Sequence, residues 1–201
     1  MTPRGTFVAF EGIDGCGKST QARRVADVRG ALCTFEPGDT PLGKSLRAVV
    51  LDAAMGIDAA AELLVMAADR AQHVAQVIEP ALAAGRDVVC DRFSGSTLAY
   101  QGYGRGLDLE SIRRVLTVAT GGLEPDLTIL LDCPVAVARS RRARRTTSSD
   151  RFESDDGFSE RVRAGFVEMA QTSASWGVVD AEAPVATVTR AVDELIATAL
   201  S

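Results

Sequence analysis

Short apolar runs rich in β-branched residues alternate along the chain with longer stretches whose apolar positions recur every three or four residues. The runs Thr6–Glu11, Leu32–Phe35, Asp87–Cys90, Leu127–Leu131 and Gly177–Asp180 read as strands. Most are continuously hydrophobic, which suits strands covered on both faces. Helical periodicity covers Lys18–Val28, Asp58–Ala84, Leu109–Thr120, Val135–Arg145, Phe158–Gln171 and Ala186–Leu200, and Gly or Pro marks the joins at Pro37-Gly38, Gly85, Gly121-Gly122 and Pro184. Alternation of strand with helix predicts an α/β domain with a mostly parallel sheet. No internal repeat or Pro-rich linker divides it, so residues 1–201 are expected to form a single domain. Its one polar low-complexity stretch, Thr146-Thr147-Ser148-Ser149, lies between an arginine run and Asp150-Arg151 and reads as a mobile loop placed to act as a lid.

Composition narrows the partners. With 46% hydrophobic residues and a formal net charge of −5, the chain lacks the basic face that a nucleic-acid coat or membrane-surface binder needs. The basic residues are nevertheless lopsided, 20 arginines against Lys18 and Lys44 alone, which is either codon bias or selection for forked donors. Cys16, Cys33, Cys90 and Cys133 are widely spaced and His73 is the single histidine, so neither a zinc site nor a disulfide framework is expected. The longest apolar run, Leu63 to Ala68, is too short to cross a bilayer, and the first residues carry no signal pattern. A cytoplasmic protein with reduced thiols is the expectation.

Gly12-Ile13-Asp14-Gly15-Cys16-Gly17-Lys18-Ser19 fits G-x-x-x-x-G-K-[ST] between an apolar strand and a helix, the context a phosphate-binding P-loop requires. Glycines let successive N–H groups turn inward onto phosphate oxygens, and the helix N-terminus adds partial positive charge. Lys18 supplies a compact cation for the β- and γ-phosphates, Ser19 a hydroxyl for Mg²⁺, and the expected nucleotide contacts run from Gly12 through Thr20. Cys16 in this loop reads as a small filler residue, with a redox switch as the other possibility. Val88-Val89-Cys90-Asp91-Arg92 ends a buried strand in a carboxylate suited to the Mg²⁺ shell, so Ser19 and Asp91 are the expected metal-side residues.

Three further blocks exceed what a bare ATPase needs: Glu36-Pro37-Gly38-Asp39-Thr40-Pro41, Met66 through His73, and Asp91 through Gly102. If Asp58–Ala84 is helical, Met66 and Arg70 share a face and offer an apolar platform beside a fork of donors. They are otherwise a core methionine and a surface arginine paired with Asp69 or Glu62. Ser96 and Tyr100 share one helical face, and Thr97 and Gln101 the next, so a hydroxyl and an amide can read a base edge together. With the P-loop and with Pro125-Asp126-Leu127-Thr128 before a strand ending Leu131-Asp132, these blocks resemble the thymidylate kinase family of nucleoside monophosphate kinases, from Thr6 onward.

That resemblance implies a three-layer P-loop kinase fold, a five-stranded parallel sheet flanked by helices with a mobile lid at about 140–154. It implies an ATP:dTMP phosphotransferase that makes dTDP in dTTP biosynthesis, uses ATP and Mg²⁺, and works as a homodimer through helices that carry apolar residues such as Val74, Val77 and Ile78. By the same resemblance Arg70, Ser96, Thr97 and Gln101 contact thymine, Met66 takes the stacking position usually held by Phe, and Tyr100 crowds the site of a ribose 2′-hydroxyl. Arg47 and Arg92 hold the acceptor monophosphate, Asp14 meets the sugar 3′-hydroxyl or the metal, and Glu36 and Pro37 belong to the substrate site. Asp39 stands where the family usually has Gly. Arg-Ser-Arg-Arg-Ala-Arg-Arg at 139–145, set against a P-loop without a basic residue among its variable positions, resembles the subgroup in which lid arginines reach the transferring phosphoryl group. Spacing selects Arg142, Arg144 and Arg151 as catalytic beside Lys18, Asp91 and Arg92. A kinase of another small nucleotide, such as dUMP or a modified pyrimidine, and a P-loop switch ATPase with no second small substrate are the competing readings.

Overall fold

The computed structural model of the chain describes residues 3–52, 54–144 and 156–200. Strands β1 (Phe7–Glu11), β2 (Leu32–Phe35), β3 (Val88–Asp91), β4 (Leu127–Asp132) and β5 (Trp176–Asp180) form one sheet in the order β2-β3-β1-β4-β5. Every pairing is parallel, with Phe7 opposite Val88 and Val8 opposite Leu127. The continuous hydrophobicity of the central strands follows from burial on both sides. In β1, Val8 and Phe10 enter the core beneath α1 (Lys18–Arg29), α8 (Asp156–Thr172) and α9 (Val185–Ala199), whereas Phe7 and Ala9 enter the opposite core with Val74, Ile78, Leu82 and Phe93. The sequence-derived strands therefore differ from the observed ones only at their ends.

The helices differ more. Asp58–Ala84 is not one regular helix: α3 (Ala59–His73) passes into a π-helical turn at Val74–Ile78 and then α4 (Glu79–Ala83). Helix α2 (Pro41–Leu51) has no counterpart among the predicted stretches, although Thr40 caps it by accepting from Gly43 N and Pro41 occupies its first turn. Helix α5 (Ser94–Thr97) continues as a second π segment, Leu98–Gly104. Helix α6 (Leu109–Thr120) matches its prediction, and α7 (Val135–Ala143) stops before the Arg145 expected to end it. The Thr/Ser stretch, Arg151 and most of the expected lid lie outside the described residues. Val74 and Ile78, offered as dimer residues, are buried in the chain's own second core. Among the described residues no helix is long and apolar enough to cross a membrane.

Candidate active site

The central strands β1 and β3 end side by side, and the turns that leave them build the site. After β1, Gly12 adopts φ 138°, and a Cβ there would sit 2.5 Å from the Leu131 carbonyl oxygen. At Gly15, φ 93°, a Cβ would lie 2.3 Å from the Ala138 carbonyl oxygen on α7. Both positions therefore demand glycine for conformation and for space. Helix α1 then starts without a side-chain cap, which leaves backbone donors for an anion. Lys18 is buried, its Nζ donating to the Ile13 carbonyl at 2.9 Å and lying 3.7 Å from Cys16 Sγ.

Ser19 Oγ donates to Asp91 Oδ2 at 2.5 Å, joining the P-loop helix to the end of β3. The other oxygen, Asp91 Oδ1, is buried without a partner among the described residues. An orphaned carboxylate oxygen beside a hydroxyl is a donor set suited to a hard divalent cation such as Mg²⁺. Lys18, Ser19 and Asp91 line a cavity of ≈ 480 Å³ together with Arg23, Arg47, Arg92 and Arg142.

Arg92 is the pivot. Its φ of 74° puts a non-glycine residue in the left-handed region, a strain of the kind that functional sites retain. The guanidinium donates to Gly12 O at 3.1 Å, Ser96 Oγ at 2.9 Å, Asp14 Oδ1 at 2.6 Å and Tyr100 OH at 3.2 Å. Burial works against its charge, but Asp14, Tyr100, Asp91 and Glu11 outweigh that and keep it ionised. Burial likewise opposes ionisation of Asp14, yet Arg92 and Lys18 hold its carboxyl well below the usual range.

A second, smaller cavity of ≈ 90 Å³ adjoins the first, and Asp14, Glu36, Arg47 and Arg92 line both. Its remaining wall is Pro37, Val50, Leu51, Met66, Ser96, Tyr100 and Gln101. Met66 is thus a cavity residue, not core filling, and Arg47, which donates to the Pro37 carbonyl at 2.7 Å, stands between the two spaces. Arg70 and Thr97 lie outside this lining. Arg70 is buried, donating to Glu36 Oε2, Thr97 Oγ1 and Phe93 O at 2.8, 2.8 and 2.9 Å, so it meets neither the surface nor Asp69 or Glu62 as ion-pair partner. Ser96 lines the cavity, but its hydroxyl donates to Glu11 Oε2 at 2.6 Å and accepts from Arg92. Arg70, Ser96 and Thr97 thus also frame the site, each through hydrogen bonds to protein partners, and the three bonds of Arg70 leave two of its five N–H groups uncommitted.

The sequence profile of the thymidylate kinase family matches residues 10–192. The chain belongs to this family. A thymidylate kinase of Geobacter sulfurreducens is 52% identical over 83% of this chain and 84% of its own length. One of Desulfovibrio desulfuricans is 50% identical over 89% and 88%, and one of Thermosynechococcus vestitus 46% identical over 96% and 87%.

Of the family's lid arginines expected here, Arg142 reaches the site: its Nη1 donates to the Asp14 carbonyl at 3.3 Å and it lines the larger cavity. Arg144 lines a third depression of ≈ 330 Å³ with Arg141 and with Gly15, Gly17 and Thr20, three residues that also line the larger cavity. Arg151 lies outside the described residues. Two carboxylates central to this thymidylate kinase site escape a reading of motifs. Glu11 is fully buried and accepts from the Phe93 and Ser96 amides, each at 2.9 Å, and burial pushes its carboxyl up despite the Ser96 hydroxyl and Arg92. Glu62 is equally buried beneath Gln101 and Arg105. The available signal was an acidic residue inside an otherwise apolar strand or helix face, which is rarely left unpaired.

Proposed function

We propose that this chain transfers the γ-phosphoryl group of ATP to dTMP, giving dTDP and ADP. The observation that carries the reading is the pair of adjoining cavities that share Asp14, Glu36, Arg47 and Arg92. One is a phosphate cradle at a P-loop; the other has an apolar wall for a flat ring. The attacking oxygen belongs to a monophosphate that is already anionic, so no general base is needed. Catalysis is positioning and charge neutralisation. Lys18 and the amides of residues 12–20 hold the β- and γ-phosphates, Arg92 and Arg47 hold the acceptor phosphate at the junction, and Arg142 approaches from α7. Mg²⁺ bound by Ser19 and Asp91 supplies further neutralisation of the triphosphate oxygens. Arg144 and Arg151 are assigned to the same neutralisation of charge on the transferring phosphoryl group.

Asp14 faces the sugar 3′-hydroxyl, Tyr100 closes the space of a 2′-hydroxyl, and Met66 packs on the ring through its polarisable thioether. Glu36 with Pro37 forms the cavity floor, braced by Arg70, while Ser96 and Thr97 hold the frame in which Gln101 meets the base. The chain forms a homodimer: with Val74 and Ile78 used internally, Leu64 of α3 and Val118 of α6, exposed at 59% and 86%, are among the exposed apolar residues that a second copy can cover. A cytoplasmic location suits soluble nucleotide substrates, and a net charge of −5 disfavours nucleic acid as a partner. The test is ADP release from ATP with dTMP, UMP, dCMP and dGMP in turn. Preferential turnover with dTMP is required; nucleotide hydrolysis indifferent to every monophosphate would instead support the switch ATPase.

A further inference from the structure

The buried side-chain atoms without a partner among the described residues are Asp91 Oδ1, Ser94 Oγ and Gln101 Oε1. The last belongs to the wall of the smaller cavity. Its amide nitrogen is committed, because Gln101 Nε2 donates to Glu62 Oε1 at 2.8 Å. Glu62 is 0% exposed and its carboxylate receives Arg105 as a fork, Nε to Oε1 at 3.3 Å and Nη2 to Oε2 at 3.1 Å. Arg105 is itself seated over the Phe158 ring, 4.8 Å from its centroid. A carboxylate paired with a guanidinium only accepts hydrogen bonds. Turning the amide over would set a carbonyl oxygen against a carboxylate oxygen with no proton between them, so the orientation is locked.

We infer that Glu62, anchored by Arg105, is a positioning residue for base choice: it holds the Gln101 amide so that an acceptor, and not a donor, is available to the base. An acceptor pairs with the ring N3–H of thymine or uracil and is left opposite a lone pair by cytosine. The inference rests on the reading of this cavity as the base site of a nucleoside monophosphate.

The test is kcat/KM for dTMP, dUMP and dCMP at saturating ATP in the wild-type protein and in Glu62→Gln, Gln101→Met and the double variant. Glu62→Gln replaces the acceptor-only group by an amide that tolerates both orientations of Gln101. The preference for dUMP over dCMP then falls on the order of 10-fold, the worth of one mismatched buried hydrogen bond, mainly through KM. The preference for dTMP over dUMP, which reads only the 5-methyl group, stays as in wild type. Gln101→Met lowers the same dUMP-over-dCMP ratio, and Glu62→Gln adds nothing in that background, the non-additivity expected of a residue acting through another. Glu62→Asp keeps the charge beside Arg105 but withdraws it from Gln101. It narrows the ratio in the same direction and carries the test if Glu62→Gln is too unstable to purify. An unchanged ratio, an equal loss for all three substrates, or additive effects overturn the inference while leaving the kinase assignment standing. A wild-type protein that uses dCMP as well as dUMP overturns it too, and one that phosphorylates none of the three overturns both.

Discussion

At the scale of single residues, two kinds of charge meet in this site. Lys18 is a point cation folded back onto the P-loop carbonyl of Ile13, whereas Arg92 is a fork shared among Gly12, Asp14, Ser96 and Tyr100. Neither belongs to a hydrophobic core cluster, so Lys18→Ala and Arg92→Ala are expected to fold. Each lowers kcat at least ~10²-fold, as loss of a preorganised charge does; steady-state ADP release together with far-ultraviolet circular dichroism checks both halves. Asp69 offers a different handle. Burial and the nearby Glu36 charge push its carboxyl up to about 6, against the Gly38 amide that donates to it at 3.0 Å. With the folded value above the unfolded one, the native state binds the extra proton between about pH 4 and 6. Its stabilising contribution is therefore complete at low pH and is lost as pH rises through 6. Asp69→Asn keeps an acceptor for Gly38 but cannot titrate. Urea unfolding across pH 4 to 7.5 should show a flatter profile for the variant and a gain on the order of 2 kcal/mol over wild type at the upper end.

Elements succeed or fail as readings according to how local their causes are. The strands and α6 were legible because unbroken apolar runs and regular helical spacing need no partner to be recognised. Helix α2 was missed: its cap and proline lie in Glu36–Pro41, where glycine and proline also signal a turn, and only Gly43 and Val50 on it are buried. The π segment Leu98–Gly104 broke a different assumption. Simple four-residue spacing put Gln101 with Thr97, but in the structure Ser96 and Gln101, five apart as one π turn allows, both line the cavity while Thr97 does not. A contact between elements yields the next prediction. The P-loop touches α7 so closely at Gly15 that a Cβ would meet Ala138 O at 2.3 Å and Arg142 Cγ at 3.0 Å. Gly15→Ala, strained at φ 93° as well, should destabilise the fold by roughly 1–3 kcal/mol. It should also lower kcat/KM for ATP by more than about 10-fold by displacing α7 and its arginine; urea melts and ATP saturation kinetics measure the two effects.

For the whole molecule, a net charge of −5 coexists with a cavity lined by Lys18, Arg23, Arg47, Arg92 and Arg142 against Asp14, Glu36 and Asp91. The arginine excess is thus partly local: forked donors sit where phosphates are proposed to bind, while others such as Arg4 and Arg24 form exposed pairs with Asp126 and Asp193. A cationic cleft on an acidic body draws in anionic nucleotides at long range, and salt screens that attraction. Raising ionic strength from about 0.05 to 0.5 M should raise KM for ATP and for dTMP several-fold with a smaller change in kcat. Equal effects on KM and kcat would point to a salt-sensitive fold instead.

What the sequence determined by itself was the strand set, the P-loop and the family, because each is written in contiguous residues whose period or spacing has one physical meaning. Tertiary structure alone decided which polar residues face the cavity and which brace it. Glu11 and Ser96 lie 85 positions apart and Glu62 and Gln101 lie 39 apart, yet those bonds settle which ends of Ser96 and Gln101 remain for a ligand. Arg70 is held by Glu36 and Thr97, 34 and 27 positions away, and neither Arg70 nor Thr97 lines the smaller cavity. A buried hydrogen-bonding group takes whichever partner packing delivers, and packing depends on the whole sheet and its helices, not on neighbours in sequence.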